Sequence, residues 1–225
     1  VQVILLSEYG ITPVNRAIHI NRLLREKGWL VVKEELGREL LDAGASQAFA
    51  VADHQVAHVY LNDKAVANDV QSLLEKTPGV QRVLDQPAQE ELAVGHERAG
   101  DLIAVAVEDA WFTYYYWLND DRAPDFARTV DIHRKPGYDP AELFLDPDIP
   151  LVKAKIAARL LQKKLGFRML MDVIPLDASL VKGSHGCRPE SRTDWPVAIT
   201  PEPDWLTEEK LKSTDIHDLI MRALN

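Results

Sequence analysis

Residues 3–11 read VILLSEYGI, and this stretch decides the fold. A short apolar run such as Val1 to Leu6 reads as a buried, parallel strand. Ser7-Glu8-Tyr9-Gly10 ends it, which sets a polar cluster at the strand's carboxyl end, where open α/β sheets hold their ligands. A carboxylate on a tight turn at that place is a hard oxygen donor for a divalent cation. On pattern alone the same acid serves as a helix cap or a loop anchor. The chain opens at Val1 with the apolar run already under way, which is read as a cut within a longer protein.

Outward from this strand, Pro13 precedes a helix expected from Val14 to Lys27. Ala17, Ile20, Leu23, Leu24 and Lys27 lie on one of its faces, and Gly28 is its stop. Two strands, Ala48–Ala52 and His58–Leu61, are expected around a turn at Asp53-His54. Asp63 then caps a helix to Glu75, Pro78-Gly79 breaks it, and Val80–Leu84 forms a short strand. These pieces make a small α+β subdomain, at about residues 45–95, inserted beside a main sheet. DLIAVAV (101–107) is a further buried strand. Ala123 to Asp148, rich in Pro, Asp and Arg, is a long loop of the kind that carries function. A helix follows from Pro150 to Leu165, with Val152, Ile156 and Leu160 on one face and Gly166 as its stop. Thr214-Asp215 caps a last helix to Leu224, with Ile216, Leu219, Ile220 and Ala223 inward. The fold class is α/β with irregular insertions.

The composition is that of a folded domain, with 46% hydrophobic and 27% charged residues in 225. The net charge of -9 disfavours nucleic-acid polymers and anionic membranes as partners, since like charge repels. No apolar run reaches the roughly 18 residues of a membrane span. The single Cys187 cannot form an internal disulfide, which fits a reducing compartment and a cytoplasmic location.

Several segments have residues suited to chemistry. In Gly183-Ser184-His185-Gly186 the flanking glycines leave the imidazole uncrowded, and neutral imidazole suits zinc; an exposed turn is the equal alternative. Asp131 to Asp139 (DIHRKPGYD) gathers His133, Arg134 and Lys135 in an acidic chain. Arg134 there suits bidentate contact with a phosphate, and a loop pinned to nearby acids is the alternative. In HERAGD (96–101), Arg98 and Asp101 are expected to tie a loop to the sheet. Asp53-His54 and His58 have a spacing of four that suits a helix face, but their surroundings read as strands and a turn, so these are expected to be structural histidines. The aromatics of WFTYYYW (111–117) are expected to pack. Cys187 has no evident base partner and is not read as a nucleophile.

SEYGI, then HERAGDL with WF after it, then GSHG, then TDIHDLI, taken in that order across nearly the whole chain, resemble the type I phosphodiesterase and nucleotide pyrophosphatase branch of the alkaline phosphatase superfamily. AVADHQVAHVYLN and APDFARTVDIHRKPGYDP are similar to a bacterial subgroup of that branch. The resemblance implies the C-terminal part of an alkaline-phosphatase-like three-layer αβα fold with a mostly parallel central sheet, residues 1–225 being the C-terminal portion of one such domain. It implies a divalent metal cofactor, usually zinc, as one or two ions shared with an N-terminal half, and a Thr or Ser nucleophile that lies in that half. No catalytic nucleophile is expected in this chain.

In the family an Asp-His pair holds one metal and a late His the other. Glu8-Tyr9 falls at the pair and His185 at the late His, so Glu8 and His185 are the expected ligands. Glu8 keeps an oxygen donor, whereas the Tyr9 phenol, with a reference pKa near 10, ligates weakly. His133 is the residue to test as a replacement, with Tyr9, His133 and Arg134 near metal or substrate. The implied partners are a small phosphorylated or phosphonate substrate and the N-terminal half. The implied function is hydrolysis of phosphodiester, pyrophosphate or phosphonate bonds by the full-length protein, this fragment alone being inactive. A non-catalytic protein that keeps the fold with an altered metal site is the alternative, and an autonomous small domain a third.

Overall fold

The computed structural model describes residues 3–206, 208 and 210–224. In chain order the elements are β1 (Leu5–Leu6), β2 (Thr12–Pro13), β3 (Arg16–Ile18), α1 (Ile20–Glu26), β4 (Val32–Glu35), β5 (Arg38–Leu41), β6 (Ala48–Asp53), β7 (Val56–Leu61), α2 (Ala67–Glu75), β8 (Val80–Leu84), α3 (Gln86–Glu91), β9 (Leu102–Ala106), β10 (Ala110–Phe112), α4 (Val152–Lys164), β11 (Gly183–Ser184), β12 (Ala198–Ile199) and α5 (Ile216–Ala223). They fall into two compact units, one formed by Val1–Ile11 with Arg188–Asn225 and one by Thr12–Cys187.

The larger unit is built on a four-stranded sheet in the order β6-β7-β9-β8. All its neighbours run antiparallel. The mostly parallel central sheet expected from the resemblance is therefore not what the described residues form. Their named strands contain one parallel pair, β3 with β10. β9 is apolar at every position because both its faces are covered. Leu102, Ala104 and Ala106 enter the main core, while Ile103 and Val105 join Leu84 in a second cluster that Cys187 packs against. The edge strand β6 is protected. The Asn21 side chain donates to the Ala50 carbonyl at 2.8 Å and accepts from the Ala50 amide at 2.7 Å.

Several expectations hold. The β6–β7 hairpin forms, Ala48 opposite Leu61 through Asp53 opposite Val56, with its turn at His54-Gln55 one residue later than expected and β7 starting at Val56 rather than His58. Asp63 accepts from the Ala65 amide at 2.9 Å, and the helical segment runs on to Glu75. The aromatics of WFTYYYW are all buried, in edge-to-face contacts such as Tyr114 with Trp117 at 5.5 Å, so they are core. Asp101 ties its loop to the sheet as expected, accepting from the Leu61 amide and pairing with Lys64, whereas Arg98 takes part through its backbone carbonyl, which accepts from Tyr60, and not through its charge.

Three expectations change. The helix starts at Ile20, not Val14, because residues 16–18 pair with β10 instead; parallel pairing to a buried strand outweighs local helical periodicity. α4 forms and ends at the left-handed Gly166, but it buries none of its residues, Leu160 included. In α5, Leu219 is buried while Ile220 is exposed.

In the smaller unit, β1 is neither buried nor parallel. Leu5 and Leu6 pair antiparallel with Ile199 and Ala198, and are 58% and 39% exposed. The Ser7 amide donates to the Val197 carbonyl at 3.0 Å. Gly10 is required by close packing, since a Cβ there would overlap the Asp194 carbonyl oxygen. The amide of Lys212 donates to Asp215 at 2.8 Å at the start of α5, and Arg222 donates to the Trp205 carbonyl at 3.1 Å.

Candidate functional site

The GSHG segment of the larger unit is seated on the β6–β7 turn. Gly183 and Ser184 pair with Pro13 and Thr12, the Gln55 amide donates to the His185 carbonyl at 2.9 Å, and the Gln55 side-chain oxygen accepts from the Cys187 amide at 3.3 Å. Gln55 is fully buried. Its side-chain nitrogen reaches the Glu108 carbonyl (2.9 Å), the Ala110 carbonyl (3.2 Å) and the Thr12 hydroxyl (3.3 Å). One amide thus ties GSHG, β2 and the start of β10 to the hairpin. Gly186 has φ +120, and a Cβ there would lie 3.3 Å from the Gln55 nitrogen, so the second glycine of the motif serves a backbone approach.

At the turn itself the His54 imidazole is held on both sides. Its ring centre is 4.0 Å from that of His185 at 31°, and 4.5 Å from that of Tyr138 at 21°. Its Nδ1 lies 2.6 Å from Asp53 Oδ1. That hydrogen bond holds the Asp53 carboxyl below its usual pKa, helped by the nearby charges of His54, His185 and His58 and opposed by partial burial. An ionised carboxylate only accepts, so Nδ1 carries the hydrogen of this bond. Tyr138 arrives through Gly137, which bridges to Ala52 at φ +126; the Tyr138 amide donates to the Ala52 carbonyl at 2.8 Å. His58 is occupied differently: its Nδ1 accepts from the Gly100 amide at 3.0 Å, and burial lowers its pKa. It is structural, as expected, while its neighbour His54 faces His185.

Glu8 is exposed in the smaller unit and lines a cavity of about 680 Å³ with Leu6, Trp195, Lys210, Leu211 and Ile216. Lys210 lies 4.2 Å above the Trp195 ring. Tyr9, in the same unit, is 45% exposed. In the larger unit His133 and Arg134 sit on an exposed helical turn. Arg134 pairs with Asp125 at 3.0 Å and covers the Phe126 ring at 5.0 Å, which is the pinned-loop arrangement. Lys135 is fully buried between Asp139 (2.8 Å) and Glu142 (2.6 Å).

A second cleft of the larger unit, about 580 Å³, is lined by His19, Arg22, Tyr115, Asp120, Arg128 and Asp177 among others. His19 bonds the Thr113 hydroxyl at 2.7 Å and stacks on Tyr115. Burial, with the Arg22 charge, pulls its pKa down to about 4, against the opposing pull of Asp120.

The model of the family described as type I phosphodiesterase / nucleotide pyrophosphatase matches residues 1–139. The chain belongs to the type I phosphodiesterase / nucleotide pyrophosphatase family. Two solved structures of phosphonoacetate hydrolase from Sinorhizobium meliloti 1021 are similar to it: the complex with phosphonoacetate, at 18% identity over 49% of this chain and 28% of that one, and the complex with phosphonoformate, at 17% identity over 54% and 30%. The TM-score is 0.38 for both. The chain therefore spans less than a third of the length of these structures. No curated protein matches the chain.

The part matched to the type I phosphodiesterase / nucleotide pyrophosphatase family takes in Glu8, Tyr9, the Asp53-His54 turn, His133, Arg134 and Tyr138, and stops before His185. Among the described residues no three His, Cys, Asp or Glu side chains are grouped to hold a metal ion. Among the described residues, too, no helix is long and apolar enough to cross a membrane. The sequence reading missed His54 and Tyr138 as site residues. The signal for His54 was its place as the first of two turn residues in a hairpin. That place calls for positive φ and ordinarily takes glycine, yet His54 occupies it at φ +56.

Proposed function

We propose that this chain is the C-terminal portion of a metal-dependent hydrolase of phosphodiester, pyrophosphate or phosphonate bonds, and that the full-length protein is the active form. Family membership over residues 1–139 carries the reading. The close seating of His185 against an oriented imidazole supports it, since working groups are held by neighbours that lock their rotamers. His185 and Glu8 each contribute one ligand, to centres that the rest of the protein completes, zinc being the cation that suits an imidazole donor. When bound, such a cation polarises a phosphoryl oxygen and activates the nucleophile. This chain's own part is to present the His185 imidazole and the Glu8 carboxylate. Tyr9, His133 and Arg134 are assigned to the surroundings of metal or substrate, and the small insertion at about 45–95 to the β6–β8 region. The parallel sheet expected of the superfamily belongs, on this reading, to the whole domain.

The test is metal analysis of the full-length protein beside its Glu8→Ala and His185→Ala variants. Each variant is expected to lose bound metal; unchanged content in both contradicts the assignment. Tyr9 favours a second reading, a non-catalytic protein with an altered centre, because a phenol replaces the nitrogen ligand expected there. A full-length protein that binds metal at His185 but turns over no phosphate ester, diester or phosphonate would support that reading.

A further inference from the structure

We propose that His54 is the positioning residue of His185: with Asp53 and Tyr138 it forms a seat that fixes the plane of the His185 imidazole. The inference rests on the reading of His185 as a working residue. Four observations carry it, all within the larger unit. The His54 ring is stacked between Tyr138 at 4.5 Å and His185 at 4.0 Å. Asp53 bonds its Nδ1 at 2.6 Å, which stops the ring from flipping about its χ2 axis. Gln55 anchors the backbone that follows the imidazole, through the His185 carbonyl and the Cys187 amide. Finally, the His54 backbone is left-handed at φ +56, an uncommon conformation for a residue with a Cβ, at a turn position that glycine fills without strain. A histidine kept at that cost implies that its side chain is needed.

The chemistry agrees with this assignment. His185 has only the small Ser184 and the side-chain-free Gly186 beside it in the chain, so contacts from elsewhere in the fold set its orientation. An aromatic plate against the face of the ring supplies that orientation. Tyr138 reaches His54 only because Gly137 lets the loop lie against Ala52. This accounts for Gly137 and Tyr138 in the 131–139 loop, for which Arg134 and His133 offer no explanation.

The test compares His54→Gly and His54→Phe in the full-length protein labelled with 13C at histidine Cε1. In His54→Gly, which relaxes the turn, the melting temperature is expected to stay level or rise while the His185 resonances lose their ring-current displacement. Metal affinity, measured by chelator competition, is expected to fall about tenfold. His54→Phe keeps the plate and is expected to keep both the displacement and most of the affinity. His185 resonances and metal affinity that are unmoved in His54→Gly overturn the inference. A His185→Ala variant with wild-type metal affinity and turnover instead overturns the functional reading of His185, and leaves the seat a purely structural arrangement.

Discussion

The rings of His54 and His185 lie 4.0 Å apart, centre to centre, in a tilted stack. The two residues are far apart in the larger unit's sequence, and no local pattern joins them. They meet because Gln55, next to His54, accepts from the Cys187 amide and donates its own amide hydrogen to the His185 carbonyl. The hairpin turn and the GSHG loop are thus one piece of structure, and the properties of the candidate site depend on residues that never touch a ligand.

Gln55 is the first of these. Replacing it with Leu removes the partner of the Cys187 amide and strips one donor from the Glu108 and Ala110 carbonyls in a fully buried place. The expected loss is about 2–4 kcal/mol of stability, from buried polar groups left without partners. Urea denaturation followed by tryptophan fluorescence checks this, and a midpoint equal to that of the wild type would show that the amide is dispensable.

Gly137 is the second. A Cβ there would overlap the Ala52 carbonyl oxygen and lie 2.8 Å from the Ala52 nitrogen, at φ +126. Gly137→Ala is expected to cost roughly 2–4 kcal/mol through combined overpacking and backbone strain. It should also detach Tyr138 from His54. Thermal melts give the first effect, and the histidine resonances described above give the second.

Lys135 is buried with two carboxylates, Asp139 and Glu142. Burial raises the Asp139 carboxyl while the Lys135 ammonium pulls it back down. Lys135→Met leaves both acids without their cation, at a cost of about 3–5 kcal/mol. Adding Asp139→Asn and Glu142→Gln to Lys135→Met should recover most of that loss. A single variant as stable as the wild type would mean that the ion triad does not hold the loop.

His19 makes stability depend on pH. Its pKa falls from 6.5 in a free chain to about 4 in the fold. The unfolded chain therefore binds a proton that the fold refuses, and stability rises with pH across that window. The contribution is fully present above about pH 6.5 and is lost progressively as pH falls toward 4. Denaturation midpoints at a series of pH values should show a shallower acid slope in His19→Phe than in the wild type. Identical slopes would remove His19 as a cause.

Some of this was legible in the sequence for physical reasons. β6 and β7 announce themselves by β-rich runs on either side of a tight turn, and β9 by a continuous apolar run that only a doubly covered strand needs. Asp63 and Gly166 mark helix ends through local chemistry. What failed was partner choice. Leu5 and Leu6 are apolar, but nothing in VILLSEYGI says that they pair with residues 198–199 near the surface. Arg16–Ile18 sits in a helical pattern until β10 takes it as a parallel neighbour. The seat of His185 was hidden for the same reason: Asp53, His54 and Tyr138 gain their meaning from long-range register. Only the non-glycine residue at the turn was visible beforehand.

The most direct test is turnover of bis(p-nitrophenyl) phosphate by the full-length protein and by its His185→Ala variant, each before and after treatment with a chelator. The full-length protein is expected to hydrolyse the diester, to stop on chelation and to recover when zinc is restored, with turnover in His185→Ala lower by about 100-fold or more. Equal turnover in both proteins, untouched by the chelator, would contradict the account.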